Sequence, residues 1–200
     1  SHVDADNEVV FTMPSNLFIK KLNASNGYSS WVYHPTVFQE NYEVSFDLVL
    51  GTPAAGYRHF AIALNSDGGS TNANFDYLVL RHHVTSNGSN TLRIDGAGND
   101  DTAVTGTGVP NFADNTTRRI KLVKSSNRLK VYVNGVMELD TSFTQTRSFG
   151  QIGFAIYEAG AASTTCTATI SNIVMIKREE TSSFPKISLT SQPNTSFIEQ

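Results

Sequence analysis

Apolar and polar residues alternate with a period of two over most of this sequence. In Tyr42–Leu50 nearly every second residue is apolar, and Glu43, Ser45 and Asp47 occupy positions between them. Successive side chains of a β-strand point to opposite sides of a sheet, so this pattern indicates a strand with one buried face and one outward face. No segment keeps a helical period over three turns. The chain is therefore predicted to be all-β.

The same alternation, interrupted by turn residues, predicts ten more strands. They are Val9–Met13, Leu17–Leu22, Tyr57–Leu64, Phe75–His83, Thr91–Asp95, Arg118–Lys124, Arg128–Asn134, Val136–Asp140, Gly150–Tyr157 and Thr165–Ile176. Many short strands of this kind are typical of two antiparallel sheets packed face to face. Between two of them, Asn134-Gly135 supplies the two positive-φ positions of a type I′ turn, which predicts a β-hairpin.

Alternation also divides the chain. We expect one β-sandwich domain over residues 7–176, preceded by a tag remnant or linker at residues 1–6. Residues 177–200 lose the pattern, and we expect a tail there that packs on the domain or on a neighbouring subunit. Two polar stretches, Asn65–Asn74 and Gly96–Asn115, are predicted to be loops. Loops as long as the second one are often functional.

Composition excludes several classes of partner. The net charge is −3, without the basic stripe that nucleic-acid binding requires, so no nucleic acid is expected. No apolar run reaches the length of about 18 residues that suggests a membrane helix, so no membrane insertion is expected. The single cysteine excludes a disulfide within the chain. What remains is recognition through polar and aromatic surfaces.

Polar and aromatic residues occupy the outward positions of several predicted strands. We predict that the following residues bind a ligand: Asp47, Tyr57, His59, Tyr77, Arg81, His83 and Tyr157. Small residues lie between them and are expected to leave room for that ligand: Ala61, Ala63, Gly153 and Ala155. Aromatic rings suit the apolar face of a sugar, and charged groups suit its hydroxyls. The alternative is an ordinary solvated sheet face, and a register shift of one residue would exchange His82 for His83.

Other candidate sites leave alternatives open. Trp31, the only tryptophan, belongs either to the core or to a stacking platform. We predict no cofactor and no metal site. Calcium bound by acidic loops, Asp67 with Asp76 or Asp95 with Asp100-Asp101, is the alternative, because calcium takes several oxygen ligands. His82 and His83 are neighbours on one strand, so they point to opposite sides and cannot share a metal ion.

No catalytic carboxylate pair is apparent. Retaining glycosidases need two carboxyl groups about 5–5.5 Å apart. Glu43 and Asp47 fall on one face of a strand but four residues apart, and Glu138 and Asp140 alternate without a third acid nearby. We therefore predict no catalytic residues and a protein that is not an enzyme.

Three segments carry a resemblance to a known superfamily. Tyr42–Leu50 with Phe60–Leu64 gives a strand pair, Arg119–Gly135 contains a strand ending in Val-Tyr-Val-Asn-Gly, and Gly150–Ile156 precedes a closing strand at Ala168–Ile176. In this order they resemble the concanavalin A-like jelly roll shared by legume lectins, laminin-G-like modules and 3-keto-disaccharide hydrolase-like domains. The resemblance implies two curved sheets with a concave face and a rim of loops. Members usually recognise carbohydrate there, while some hydrolyse it and others bind protein.

The resemblance and the lack of a catalytic pattern lead to one expectation about function. We expect a non-catalytic, lectin-like carbohydrate-recognition domain of a larger extracellular, cell-surface or virion protein. The setting we expect is a bacteriophage tail-fibre or tailspike tip that binds a cell-surface polysaccharide as a homotrimer. Two alternatives are a glycoside hydrolase or lyase of the same fold and a laminin-G-like module for protein binding or assembly. Fold resemblance alone does not separate the three.

Overall fold

The structure is a computed structural model. It describes residues 2–3, 7–12, 16–21, 27–28, 31–51, 57–69, 75–83, 91–96, 102–104, 115–159 and 166–178. All regular secondary structure in these ranges is β-strand, which confirms the predicted all-β class. The same ranges contain no helix that could cross a membrane.

The described residues form fifteen strands in two antiparallel sheets. In chain order they are β1 His2–Val3, β2 Asn7–Thr12, β3 Asn16–Lys21, β4 Gly27–Tyr28, β5 Val32–Phe38, β6 Tyr42–Leu50, β7 Tyr57–Ser66, β8 Asp76–His83, β9 Thr91–Gly96, β10 Thr102–Val104, β11 Arg118–Ser125, β12 Arg128–Val133, β13 Val136–Ser142, β14 Gly150–Ala159 and β15 Cys166–Lys177. The eight-stranded sheet has the order β1-β2-β3-β15-β6-β11-β12-β13. The seven-stranded sheet has the order β10-β9-β8-β7-β14-β4, and β5 also pairs with β14.

Each of the eleven predicted strands is present in the structure. The hairpin between β12 and β13 is also confirmed, because Val133 pairs with Val136 across a two-residue turn. Asn134 has φ of 50° and Gly135 has φ of 83°, as a type I′ turn requires. Local alternation and turn-forming residues were therefore sufficient to predict most strands of the two sheets.

Some strands were not predicted. The stretch 96–115, expected to be a loop, contains β10, which pairs with β9; that expectation is corrected. β5 was missed because Pro35 interrupts its pattern; among the described strands β5 pairs only with β14, and a proline is tolerated where one edge of a strand is unpaired. β1, from the stretch assigned to a tag remnant, pairs with β2. Of the predicted tail, residues 179–200 lie outside the described residues.

Three phenylalanine rings join the two sheets in the main core. Phe46 of β6 lies 5.9 Å from Phe60 of β7 and 5.3 Å from Phe154 of β14, measured between ring centroids. Phe60 and Phe154 are nearly parallel at 5.9 Å. All three rings are buried, and the apolar positions of the neighbouring strands pack around them. The residues that alternate with these phenylalanines therefore belong to the outer faces of the sheets.

A lysine occupies one core-facing position of β11. Lys124 is 1% exposed, and its Nζ donates hydrogen bonds to the carbonyl oxygens of Glu40 and Ser126 and to Oε1 of Gln145. The ammonium also lies 5.6 Å from the centre of the Tyr42 ring. Buried charges are tolerated when oxygen acceptors surround them, and here three acceptors do so. A charged side chain thus closes one edge of the core, and its ammonium is hydrogen-bonded to three oxygen acceptors.

The buried ammonium makes stability depend on pH. Burial lowers the pKa of Lys124 from 10.5 to about 8, while the negative charge of Glu40 opposes the shift. Between these values the unfolded chain binds more protons than the folded one, so folding becomes more favourable as pH rises. Compared with a Lys124→Met variant, the wild type should gain up to about 3 kcal/mol of unfolding free energy across this window. Urea unfolding of both proteins from neutral pH upward measures the difference. The exposed Lys177→Met is the matched control, and a pH-independent difference for Lys124→Met would contradict the prediction.

Candidate functional site

The strand register of the seven-stranded sheet brings five of the predicted ligand residues into two neighbouring rows. Tyr157 of β14 pairs with His59 of β7, and His59 pairs with Arg81 of β8. Two residues further along the strands, Tyr57 pairs with His83. The five positions therefore lie side by side across three adjacent strands, although they are far apart in the sequence.

Alternation with the core assigns these positions to the outer face of the sheet. Phe60 and Leu80 pack in the main core, so positions 59 and 81 belong to the opposite face. By the same alternation position 83, and not position 82, shares their face, while the side chains of Tyr57, Arg81, His83 and Tyr157 lie outside what the structure describes. His59 is only 6% exposed, so its ring is buried and does not project from this face as the prediction of a ligand contact requires.

Asp47 does not join this surface. It lies on β6 in the eight-stranded sheet, where it accepts hydrogen bonds from Arg119 and from the side chain of Asn172. The expectation that it shares a surface with the other six residues is therefore corrected. Alternation shows which residues of a strand share a face, but not which sheet the strand joins.

An aromatic cluster covers part of the outer face of the seven-stranded sheet. It consists of Trp31, Tyr33, Phe75 and Tyr77 and packs on the alanines of β7. Ala61 and Ala63 are fully buried beneath these rings, so this part of the face does not offer the open space expected above the small residues. Phe75 and Tyr77 are also buried, whereas Trp31 and Tyr33 keep part of each ring exposed. Trp31 therefore lies on the outer face and not in the main core.

Tyr33 is held in place from two directions. Its hydroxyl donates a hydrogen bond of 2.7 Å to the carbonyl oxygen of Gly69. Its ring lies directly over Gly153 of β14, where an added Cβ would be 2.5 Å from Cδ1 of the ring. The rings of Trp31 and Tyr33 are nearly parallel, at 19° and 6.3 Å between centroids. Sequence reasoning missed Tyr33, although the spacing Trp31-Val-Tyr33 already placed the two rings on one face of a strand.

A second surface lies on the outer face of the eight-stranded sheet. Alternate residues of β6, β11 and β12, with the residue after β15, line a groove of about 860 Å³ that we call the basic groove. Its cationic and aromatic side chains are Arg119, Lys121, Arg128, Lys130, Arg178 and Tyr132. The sequence did not indicate this groove, because the overall charge of −3 conceals a local concentration of cations.

The carboxylates beside the basic groove are held in their ionised form. Partial burial alone would raise the pKa of Glu43, but hydrogen bonds and positive charge from Lys121 and Arg178 outweigh it and hold the pKa below its usual value. A hydrogen bond from Arg128 lowers the pKa of Asp140. A general acid must be protonated at the working pH, so these two carboxylates are unsuited to that role.

The acidic residues considered for calcium have partners within the protein. Asp76 accepts hydrogen bonds of 2.7 Å from both the backbone N–H and the hydroxyl of Thr146. Asp95 forms an ion pair of 2.6 Å with Arg93. Asp100-Asp101 lies outside the described residues. Within the part of the chain that the structure describes, no cluster of three or more His, Cys, Asp or Glu side chains could hold a metal ion.

Gly153 should be required for the position of the Tyr33 ring. A Gly153→Ala variant places a methyl group where the ring lies, and overpacking of this kind costs about 1–3 kcal/mol. We expect that loss in urea unfolding, together with a shift in the fluorescence of Trp31, the only tryptophan. In a Tyr33→Ala background, Gly153→Ala should cost little further stability, because the ring that clashes with the added methyl group is absent. Additive losses in the double variant would show that the ring does not depend on this glycine.

Comparison with known proteins gives matches of structure and not of sequence. No protein-family model matches the chain, and no curated protein matches it. A carbohydrate-binding module, CBM66, from Bacillus subtilis is similar, with a TM-score of 0.57, 13% identity, and coverage of 86% of this chain and 92% of that one. A β-glucanase from Bacillus licheniformis has a TM-score of 0.57 and 13% identity, covering 86% of this chain and 82% of that one.

Two further solved structures agree with these. An alginate lyase from Corynebacterium sp. has a TM-score of 0.57 and 16% identity, covering 88% of this chain and 82% of that one. A Bacillus subtilis protein described as having a galectin-like fold has a TM-score of 0.58 and 13% identity, covering 86% and 89%. Identities this low establish the fold alone. The chain therefore has the jelly-roll sandwich fold that the resemblance to the concanavalin A-like superfamily implied.

Proposed function

We propose that this domain binds carbohydrate on the outer face of the seven-stranded sheet. The observation that carries the proposal is the pair of partly exposed, nearly parallel rings of Trp31 and Tyr33. In the same sheet, the row of Tyr157, His59 and Arg81 crosses three strands. The outer face of this sheet thus combines a fixed aromatic platform with a row of positions occupied by tyrosine, histidine and arginine.

The chemistry of a sugar fits this combination. One face of a pyranose ring presents C–H groups, which pack well on an aromatic ring, while its edge presents hydroxyls. A platform held by the Tyr33 hydrogen bond and by close packing on Gly153 loses little side-chain freedom when a ligand binds. The names of three similar structures, a carbohydrate-binding module, a β-glucanase and an alginate lyase, support a role with carbohydrate.

Binding without cleavage is the form of the function that we favour. Glu43 and Asp140, two of the acids considered for catalysis, are ion-paired with lysine and arginine side chains. The names of the glucanase and the lyases keep an enzyme as the second candidate. The two candidates differ in whether a bound polysaccharide is shortened.

We propose further that the domain belongs to a larger extracellular, cell-surface or virion protein, such as a bacteriophage tail-fibre tip, and acts as a homotrimer on cell-surface polysaccharide. A trimer presents three equal sites, and such multivalency strengthens weak binding to a repeating polymer. Light scattering of the purified protein should give three times the mass of one chain. The mass of a single chain at all concentrations would contradict the trimer.

Trp31→Ala should weaken polysaccharide binding at least about tenfold, because an exposed tryptophan platform commonly supplies more than 1.4 kcal/mol of binding free energy. Affinity electrophoresis through gels that contain neutral, acidic or capsular polysaccharides, followed by titration calorimetry, measures the loss. Met137→Ala is the control, because Met137 is exposed on β13 at the edge of the other sheet.

The same samples separate the candidates. New reducing ends or unsaturated sugars released by the wild type would establish the enzyme. Equal binding by the wild type and Trp31→Ala, or no binding to any polysaccharide tested, would overturn the proposed site.

A further inference from the structure

We propose that the basic groove on the eight-stranded sheet is a second binding site, and that its ligand is an acidic glycan with one carboxylate per sugar. This site is on a different sheet from the aromatic cluster. The proposal therefore does not depend on sugar binding at Trp31.

The first argument is the balance of charge. Five cations of the groove share three carboxylates: Arg119, Lys121, Arg128, Lys130 and Arg178 against Glu43, Asp47 and Asp140. Five positive and three negative charges leave an excess of two positive charges on this face, although the whole chain carries −3. An anionic ligand is attracted to such a local field.

The second argument is that the cations remain accessible. The side chain of Arg128 is 58% exposed and that of Arg178 is 51% exposed, even though each forms an ion pair. Each shares its carboxylate with a lysine: Arg128 shares Asp140 with Lys130, and Arg178 shares Glu43 with Lys121. Because each of these carboxylates is shared between two cations, a ligand carboxylate can supply further acceptors to them.

The third argument is a β-bulge that fixes one guanidinium of the groove. The register of β15 shifts between Ser171 and Val174, and Asn172 adopts φ of 51° there. Its carbonyl oxygen accepts a hydrogen bond of 3.0 Å from Arg119, and its side-chain N–H donates one of 2.6 Å to Asp47. Asparagine tolerates this left-handed conformation better than most other non-glycine residues, so the bulge is well accommodated here. Bulges also commonly re-aim side chains beside binding sites.

The fourth argument concerns the kind of anion. Hydroxyls of a sugar can donate to Glu43 and Asp47 and accept from Ser45, while its carboxylate pairs with a cation. The ring of Tyr132 adds an apolar surface in the same row as Ser45, because both residues pair with Lys121. Duplex DNA carries one negative charge about every 1.7 Å, and the carboxylates of the groove would repel its phosphates. The mixture of donors, acceptors and moderate positive charge therefore favours an acidic glycan over a nucleic acid.

The experiment compares ligands that differ only in charge. An oligomer of galacturonic acid and the oligomer of galactose of equal length are titrated calorimetrically into the full chain, at low and at physiological salt. We expect the acidic oligomer to bind more tightly than the neutral one and to weaken as salt rises. Arg128→Gln combined with Lys130→Gln should weaken binding of the acidic oligomer at least about tenfold. Lys177→Gln, which removes an exposed lysine outside the groove, should not.

The other outcomes of these titrations either support or overturn the proposed groove site. If the first double variant is unfolded by circular dichroism, Lys121→Gln combined with Arg178→Gln replaces it, with the same loss expected. Binding of the acidic oligomer that survives in the groove variants but is lost in Trp31→Ala would overturn the groove and leave the proposed function intact. Binding lost in the groove variants and kept in Trp31→Ala supports the groove even if the aromatic site fails. Absence of binding, or tighter binding of a short DNA duplex, would overturn the proposal.

Discussion

The contact among Phe46, Phe60 and Phe154 determines how every surface of this domain is arranged. The three rings come from β6, β7 and β14, and they join the two sheets through centroid distances of 5.3 to 5.9 Å. Because side chains alternate along a strand, placing these rings inside places their neighbours outside. Ser45 and Asp47 thus belong to one outer face, and the residues next to Phe60 and Phe154 belong to the other.

The two outer faces have different chemistry although they are built in the same way. On the seven-stranded sheet, glycine and alanine allow aromatic rings to lie close to the backbone, and the result is a partly exposed platform at Trp31 and Tyr33. On the eight-stranded sheet, arginine and lysine alternate with aliphatic core residues along β11 and β12. One face suits the apolar side of a sugar ring, and the other suits a negative charge.

Particular residues show how far local patterns extend. Tyr42–Leu50 and the Asn134-Gly135 hairpin were predicted because their information is local: alternation and two positive-φ residues. β5 was not predicted, because Pro35 breaks its pattern and pairing with β14 compensates. Lys124 shows a second limit of prediction from local sequence patterns. Its position in the alternation is core-facing, yet only the acceptors contributed by Glu40, Ser126 and Gln145 explain why a charge is tolerated there.

The sequence by itself determined the all-β class, most strands and the face of each strand, because these depend on residues two apart. It also placed His59, Arg81 and Tyr157 at outward positions. Only the tertiary structure decided which strands are neighbours, and so it brought those three positions into one row while leaving Asp47 on the other sheet. Pairing between distant strands depends on backbone hydrogen bonds and core packing formed across the whole chain, and no local pattern encodes it. For the same reason the basic groove, assembled from β6, β11, β12 and the end of β15, appears only in three dimensions.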